Sequence, residues 1–120
     1  MTEAREATSL LAEASTQALK VHSRDGDGLG QVKALMIDKR SGQAAYAILS
    51  LGGFLGLNKS FYPIPFGLLA YDPSEDFYVV TIDRSELEGG PSWASHSPDF
   101  NQAYADRVSN YYGTAPAAIS

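Results

Sequence analysis

The sequence predicts a mainly β domain, a small antiparallel barrel with an α-helix behind it. Three observations predict it. Two runs of β character, Gly30 to Asp38 and Gln43 to Leu51, flank the turn Lys39-Arg40-Ser41-Gly42. The second run empties into Gly52-Gly53-Phe54-Leu55-Gly56-Leu57, a glycine-hinged apolar loop ahead of Phe61-Tyr62-Pro63-Ile64-Pro65. The tail then changes its apolar period from two to about 3.6 residues, the period of a helix.

Taken in order, Met1 to about Thr16 is rich in Ala, Glu, Ser and Thr with little to bury, and reads as a mobile arm or marginal helix. From Ala18, Leu19 and Val21 alternate with Lys20 and His22, which marks a half-buried strand. The turn Arg24-Asp25-Gly26-Asp27-Gly28 closes it and starts a hairpin. In Gln31 to Asp38 the apolar phase slips: Val32 belongs to one parity, Leu35 and Ile37 to the other. A bulge near Lys33-Ala34 reconciles them and bends the sheet toward closure. Ala44 to Leu51 is apolar on both parities, so both of its faces are covered.

Pro63 and Pro65 cannot donate ladder hydrogen bonds, which assigns Ser60 to Pro65 to an edge. Phe66 to Leu69 reads as a turn of irregular or helical chain. After Ala70-Tyr71-Asp72, the turn Pro73-Ser74-Glu75-Asp76 leads into Phe77 to Ile82, rich in β-branched and aromatic residues. Asp83 and Glu86 form a capping-box-like start to a short turn that Gly89-Gly90 ends. In the tail, Phe100, Ala103, Tyr104, Arg107, Val108 and Tyr111 share one helical stripe, with Ser97, Pro98 and Asp99 as starting residues and Gly113 as the stop. The chain therefore divides into a flexible N-terminal arm at 1–16, a barrel domain at 17–93 and a C-terminal helical extension and tail at 94–120.

Composition narrows the function. A chain of 120 residues with 44% hydrophobic and 19% charged residues fits one folded domain. It has no cysteine, which removes disulfides, thiolate metal sites and a cysteine nucleophile. With Glu3, Arg5, Glu6 and Glu13 around Leu10-Leu11, the first residues fail as a secretory signal, and the expected location is the cytoplasm. No apolar run reaches the ~18 residues needed to cross a bilayer, so no membrane insertion is expected. The net charge of -5 repels phosphate backbones, and no basic cluster offsets it, so nucleic acid is not an expected partner.

The candidate sites for chemistry are weak. Gly53 to Ser60 falls one glycine short of a phosphate-binding loop, at Asn58. That motif needs a helix behind its lysine, and Pro63 and Pro65 forbid one behind Lys59. The glycines better serve to fold Phe54 and Leu55 over a barrel end, with contact to a partner as the lesser alternative. Asp25 and Asp27 place Leu29 and Met36 where calcium ligands should follow, which favours a solvated turn. Asp72, Glu75 and Asp76 read the same way. His22 and His96, the two histidines, read as surface residues, and no serine sits in a nucleophile elbow. No cofactor or metal is expected. Among the tyrosines, those in strands default to packing, whereas Tyr104 and Tyr111 leave self-docking and dimer contact equally open.

Gly30, Val32, Leu35, Ile37-Asp38, Gly42, Ala45-Tyr46-Ala47, Gly52 to Gly56, Pro65, Leu69, Leu87 and Pro91-Ser92-Trp93, in that order, resemble the PRC-barrel family. That family takes its name from the cytoplasmic domain of the photosynthetic reaction-centre H subunit and includes a ribosome maturation factor. The likeness runs from about Ala18 to Trp93, with Phe66 where a tryptophan is common, and Tyr111-Tyr112-Gly113 looks like the extension of stand-alone bacterial members. The resemblance implies a PRC-type barrel of about six strands used for assembly and adaptor contacts, without catalysis. The chain departs from the reaction-centre branch in lacking a membrane helix, and from the ribosomal branch in lacking the RNA-processing domain. Photosynthetic and ribosomal roles are therefore not carried over.

The expected function is that of a non-enzymatic interaction module, a homodimer or an adaptor for another protein, with Phe54, Leu55, Trp93, Tyr104 and Tyr111 as its surface. The alternative is a small-ligand sensor or minor enzyme with a pocket at the barrel mouth, lined by tyrosines and His22.

Overall fold

The computed structural model describes residues 10–52 and 59–119. Six strands, β1 (Leu11–His22), β2 (Gly28–Asp38), β3 (Ala44–Leu51), β4 (Ser60–Pro65), β5 (Leu69–Asp72) and β6 (Phe77–Val80), are followed by helices α1 (Arg84–Glu88) and α2 (Gln102–Tyr112). The strands form one curled sheet in the order β4-β3-β2-β1-β6-β5, a half-barrel with a C-terminal helix.

The expected all-antiparallel barrel needs correction. Lys20 to His22 of β1 pair in parallel with Phe77 to Val79 of β6, and β4 and β5 stay as separate edges. The chain crosses from β4 to β5 through a single 3₁₀ turn at Phe66–Leu68. The β5–β6 hairpin thus reaches the far side of the sheet, and the strand that meets β1 runs in its direction. Closure fails at β4, where Pro63 and Pro65 lack donors, and at β5, which has only four residues.

Parity predicted the bulge, and the register contains it. Val32 stands opposite Leu49, and Ala34 opposite Ile48, so Lys33 is the extra residue. Leu35 stands opposite Ala47, which puts Val32 and Leu35 on one face although they are three residues apart. Ala34 and Met36, opposite Ile48 and Tyr46, take the other face. Both faces of β3 are covered, and Tyr46 through Leu51 are all buried.

β1 begins at Leu11, within the stretch read as an arm through Thr16, and Leu11 to Ser15 pair with Asp38 to Ala34. Ala, Glu and Ser have little strand propensity of their own. The eleven-residue β2 supplies the ladder partners, and buried Leu11 the apolar anchor.

The first layer of the core contains Val21, Val32, Leu49, Ile64, Val80 and Leu87, each at most 1% exposed. The second lies on the opposite face, where Tyr46 meets helix α2. The Tyr46 hydroxyl is 2.8 Å from Ser109 Oγ and donates to the Ala105 carbonyl at 3.4 Å. This fixes α2 in a different rotation from the expected one. Its buried residues are Ala105, Val108, Ser109 and Tyr112, while Ala103, Arg107 and Tyr111 face outward. Small Ala105 and Ser109 let the helix backbone approach the sheet, which an aromatic stripe does not. The N-cap is Asn101, whose side chain accepts from the Tyr104 amide, and Gly113 ends the helix in the left-handed conformation as expected. Asp83 precedes α1 but makes no cap hydrogen bond; its carboxylate pairs with Arg24.

The tail returns over β1. Leu10 N donates to the Ile119 carbonyl (2.7 Å), Ile119 N to Gln102 Oε1 (2.7 Å), and Arg40 Nη2 to the Ala118 carbonyl (2.8 Å). Arg40 also holds Asp38, whose carboxylate accepts from its side chain and from the Arg40 and Ser41 amides. These bonds, the Arg40 side chain first, lower the Asp38 pKa from its ordinary value. A depressed carboxylate stabilises the fold above its unfolded pKa of about 4, and the contribution is lost as pH falls through the folded value. Protection of the Arg40 and Ser41 amides from hydrogen exchange should therefore hold from pH 5 to 8 and fall in acid below about pH 4. In Asp38→Asn that acid step should disappear from NMR-detected exchange.

Candidate interaction surface

Trp93 sits just beyond the β4 edge. It forms a β-bridge with Phe61 through mutual backbone bonds of 2.8 and 3.0 Å, and the two rings lie 5.8 Å apart. Lys33, the bulge residue, places its ammonium 4.5 Å from the Phe61 ring centroid. Trp93 is thus half-buried on its own sheet, closing part of the β4 edge.

Tyr104 is half-buried at the start of α2, edge-on to Phe100, which in turn meets Tyr46. Its burial raises its pKa, and the Arg107 charge works in the opposite direction. Two helical turns on, Tyr111 is 41% exposed, with its hydroxyl donating to the Glu86 carbonyl at 2.7 Å. Its neighbour Tyr112 is buried against Gly90, where an added Cβ would lie 2.6 Å from the Tyr112 hydroxyl. Burial drives the Tyr112 pKa upward. Tyr104 and Tyr111 therefore share one rim of α2, and Trp93 lines a cavity of about 200 Å³ together with Phe100, the ring that Tyr104 meets. Phe54 and Leu55 lie outside the described residues.

Sequence reasoning missed Tyr71. Assigned to strand packing, it is 48% exposed on the edge strand β5. It stands opposite Tyr78, whose ring is 5.3 Å away, and Phe66 lies 5.9 Å beyond, so three rings form a strip. The Tyr71 hydroxyl donates to Asp76 at 2.6 Å, which raises its pKa. The signal was present as two tyrosines flanking a four-residue turn, Pro73 to Asp76.

A family model for the PRC-barrel domain matches residues 16–87, more than half of the chain and all six strands but the first five residues of β1. The chain belongs to the PRC-barrel family. The PRC-barrel match ends at Leu87, so Trp93, Tyr104 and Tyr111 lie beyond it, whereas Phe66, Tyr71 and Tyr78 lie within. No curated protein shows significant similarity to the chain.

Other features of this PRC barrel bear on chemistry. Ser23 to Asp27 form a turn closed by backbone bonds of 2.8 and 3.0 Å, and among the described residues no group of three or more His, Asp or Glu could hold a metal. Behind Lys59 the chain is extended as β4. His96 contacts Ser95 Oγ at 3.1 Å in an exposed loop, and His22 stacks on Phe77 at 4.0 Å. At the barrel mouth a cleft of about 350 Å³ is lined by Leu29, Leu51, Tyr62, Leu87 and the Arg84–Glu88 pair, without His22. No helix among the described residues is long and apolar enough to cross a membrane.

Proposed function

We propose that this PRC barrel is a non-enzymatic interaction and assembly module, docking through aromatic surface onto a second copy or another protein. One observation carries the reading: Tyr71 and Tyr111, the large hydrophobic residues exposed among those described, both have their hydroxyls tied down, to Asp76 and Glu86. A ring held in place before binding loses less side-chain freedom on docking, so more of its buried area counts toward affinity. Trp93 and Tyr104 extend the surface around α2, and Phe54 and Leu55 remain part of the proposal from the 53–58 segment. A net charge of -5 favours a protein partner over a nucleic acid.

Light scattering across a concentration series, with cross-linking in cell extract, tests it. A dimer whose dissociation constant rises about 10- to 100-fold in Tyr71→Ala/Tyr111→Ala is expected if the partner is a second copy. Cross-links from the tyrosine strip to one other protein, lost in the same variant, would indicate an adaptor. A monomer at all concentrations that acquires no cross-links would refute both.

A further inference from the structure

We infer that the half of the sheet's outer face left uncovered by α2 is a binding site for a small phosphorylated molecule. Tyr46, Ile48 and Ser50 alternate along β3 and point to one face, the one on which α2 packs at Tyr46. At the other end of that face, Ser50 stands opposite Gln31, and Gln31 opposite Lys20, a polar row across three strands. These three, with His22, Lys59 and the glycines 28, 30 and 52, line an open cleft of about 340 Å³.

Four features select the ligand. Among the described residues the lining carries two lysines and a histidine but no carboxylate, in a chain where Asp and Glu outnumber Lys and Arg by 14 to 9. A concave site of one sign focuses its field on a counter-charge, here an anion. The lysines offer three donors each as mobile point charges, which suits a tetrahedral oxyanion, and among the described residues no arginine fork lines the cleft to favour a planar carboxylate. Gly28 has nothing within 4 Å of an added Cβ, so phosphate oxygens can come close to the main chain there. The volume exceeds what inorganic phosphate fills and sits at the lower end of the ~300–1,000 Å³ of ligand pockets.

The polar residues support this selection. Of the three serines buried among the described residues, Ser23 accepts from the Asp27 amide and Ser109 meets Tyr46, both inside the fold, whereas Ser50 faces the cleft. His22 is held by its stack on Phe77 and by Nδ1 donating to the Gly26 carbonyl at 3.2 Å. The site shares no residue with the tyrosine surface, so either can fail without the other.

Titration of the full chain with inorganic pyrophosphate at constant ionic strength, followed by amide NMR shifts, tests the inference. Saturable shifts at Lys20, Gly28, Gly30, Gln31 and Gly52 are expected. Lys20→Ala/Lys59→Ala should weaken binding by about tenfold or more, with the melting temperature unchanged because both side chains are exposed. Lys33→Ala/Lys39→Ala, which removes equal charge elsewhere, should leave it intact. Equal weakening by both pairs, shifts spread to the Lys39-Arg40 turn, or no saturation would overturn it.

Discussion

Replacing Gly30 by alanine is expected to lower the melting temperature by roughly 10 °C or more, from an overpacking cost at the upper end of ~1–3 kcal/mol. A Cβ built on Gly30 would lie 2.0 Å from the Ser50 carbonyl oxygen and 3.1 Å from Leu51 Cα. Both are main-chain atoms of the adjoining strand, so no rotamer change relieves the clash. β2 would have to separate from β3 where Gly30 pairs with Leu51, and Val21, opposite Gly30 on β1, is fully buried. Gly28→Ala, two residues away with nothing within 4 Å of its added Cβ, should melt close to wild type in the same thermal scan. Equal melting of the two variants would show that the strands do not approach as closely as described.

What the sequence revealed, and what it hid, follows from the range of each signal. The bulge at Lys33 was legible because side-chain parity is a local property: Val32 and Leu35 cannot share a face without an extra residue between them. The edge position of β4 was legible because Pro63 and Pro65 lack donors wherever the strand lies. The parallel β1–β6 contact was not, because strand pairing across more than fifty residues leaves no periodicity in either partner. The rotation of α2 misled for a different reason. Aromatic residues dominate a hydrophobic stripe, while the residues that seat this helix are small Ala105 and Ser109. Tyr104 and Tyr111 lie two turns apart along the rim of α2, not on the face that seats it. Tyr71 was hidden because strand alternation does not say which strand is an edge. The cleft was hidden because Lys20, Gln31 and Ser50 become neighbours only through register.

Tyr46→Ala should cost about 3–5 kcal/mol, the range for emptying a buried aromatic site. Tyr46 is 1% exposed and is the point at which sheet, helix and tail meet. Its ring packs 5.2 Å from Phe100, its hydroxyl reaches Ser109 and Ala105, and the Ala117 amide donates to it at 3.4 Å. Tyr46→Phe separates the two contributions: it keeps the ring but leaves the buried Ser109 hydroxyl without this partner, at a cost of about 1–3 kcal/mol. Once Tyr46→Phe has removed the bond, Ser109→Ala should add little further loss, so the pair should be clearly non-additive in urea denaturation. The alanine variant carries a functional consequence as well. With α2 loosened, Tyr104 and Tyr111 lose their fixed positions, and association should weaken although Tyr46 itself touches no partner. Association unchanged in a folded Tyr46→Ala protein would move the docking surface off α2 and onto the Tyr71 strip. Additive losses in the urea series would show that the hydroxyl and Ser109 act separately.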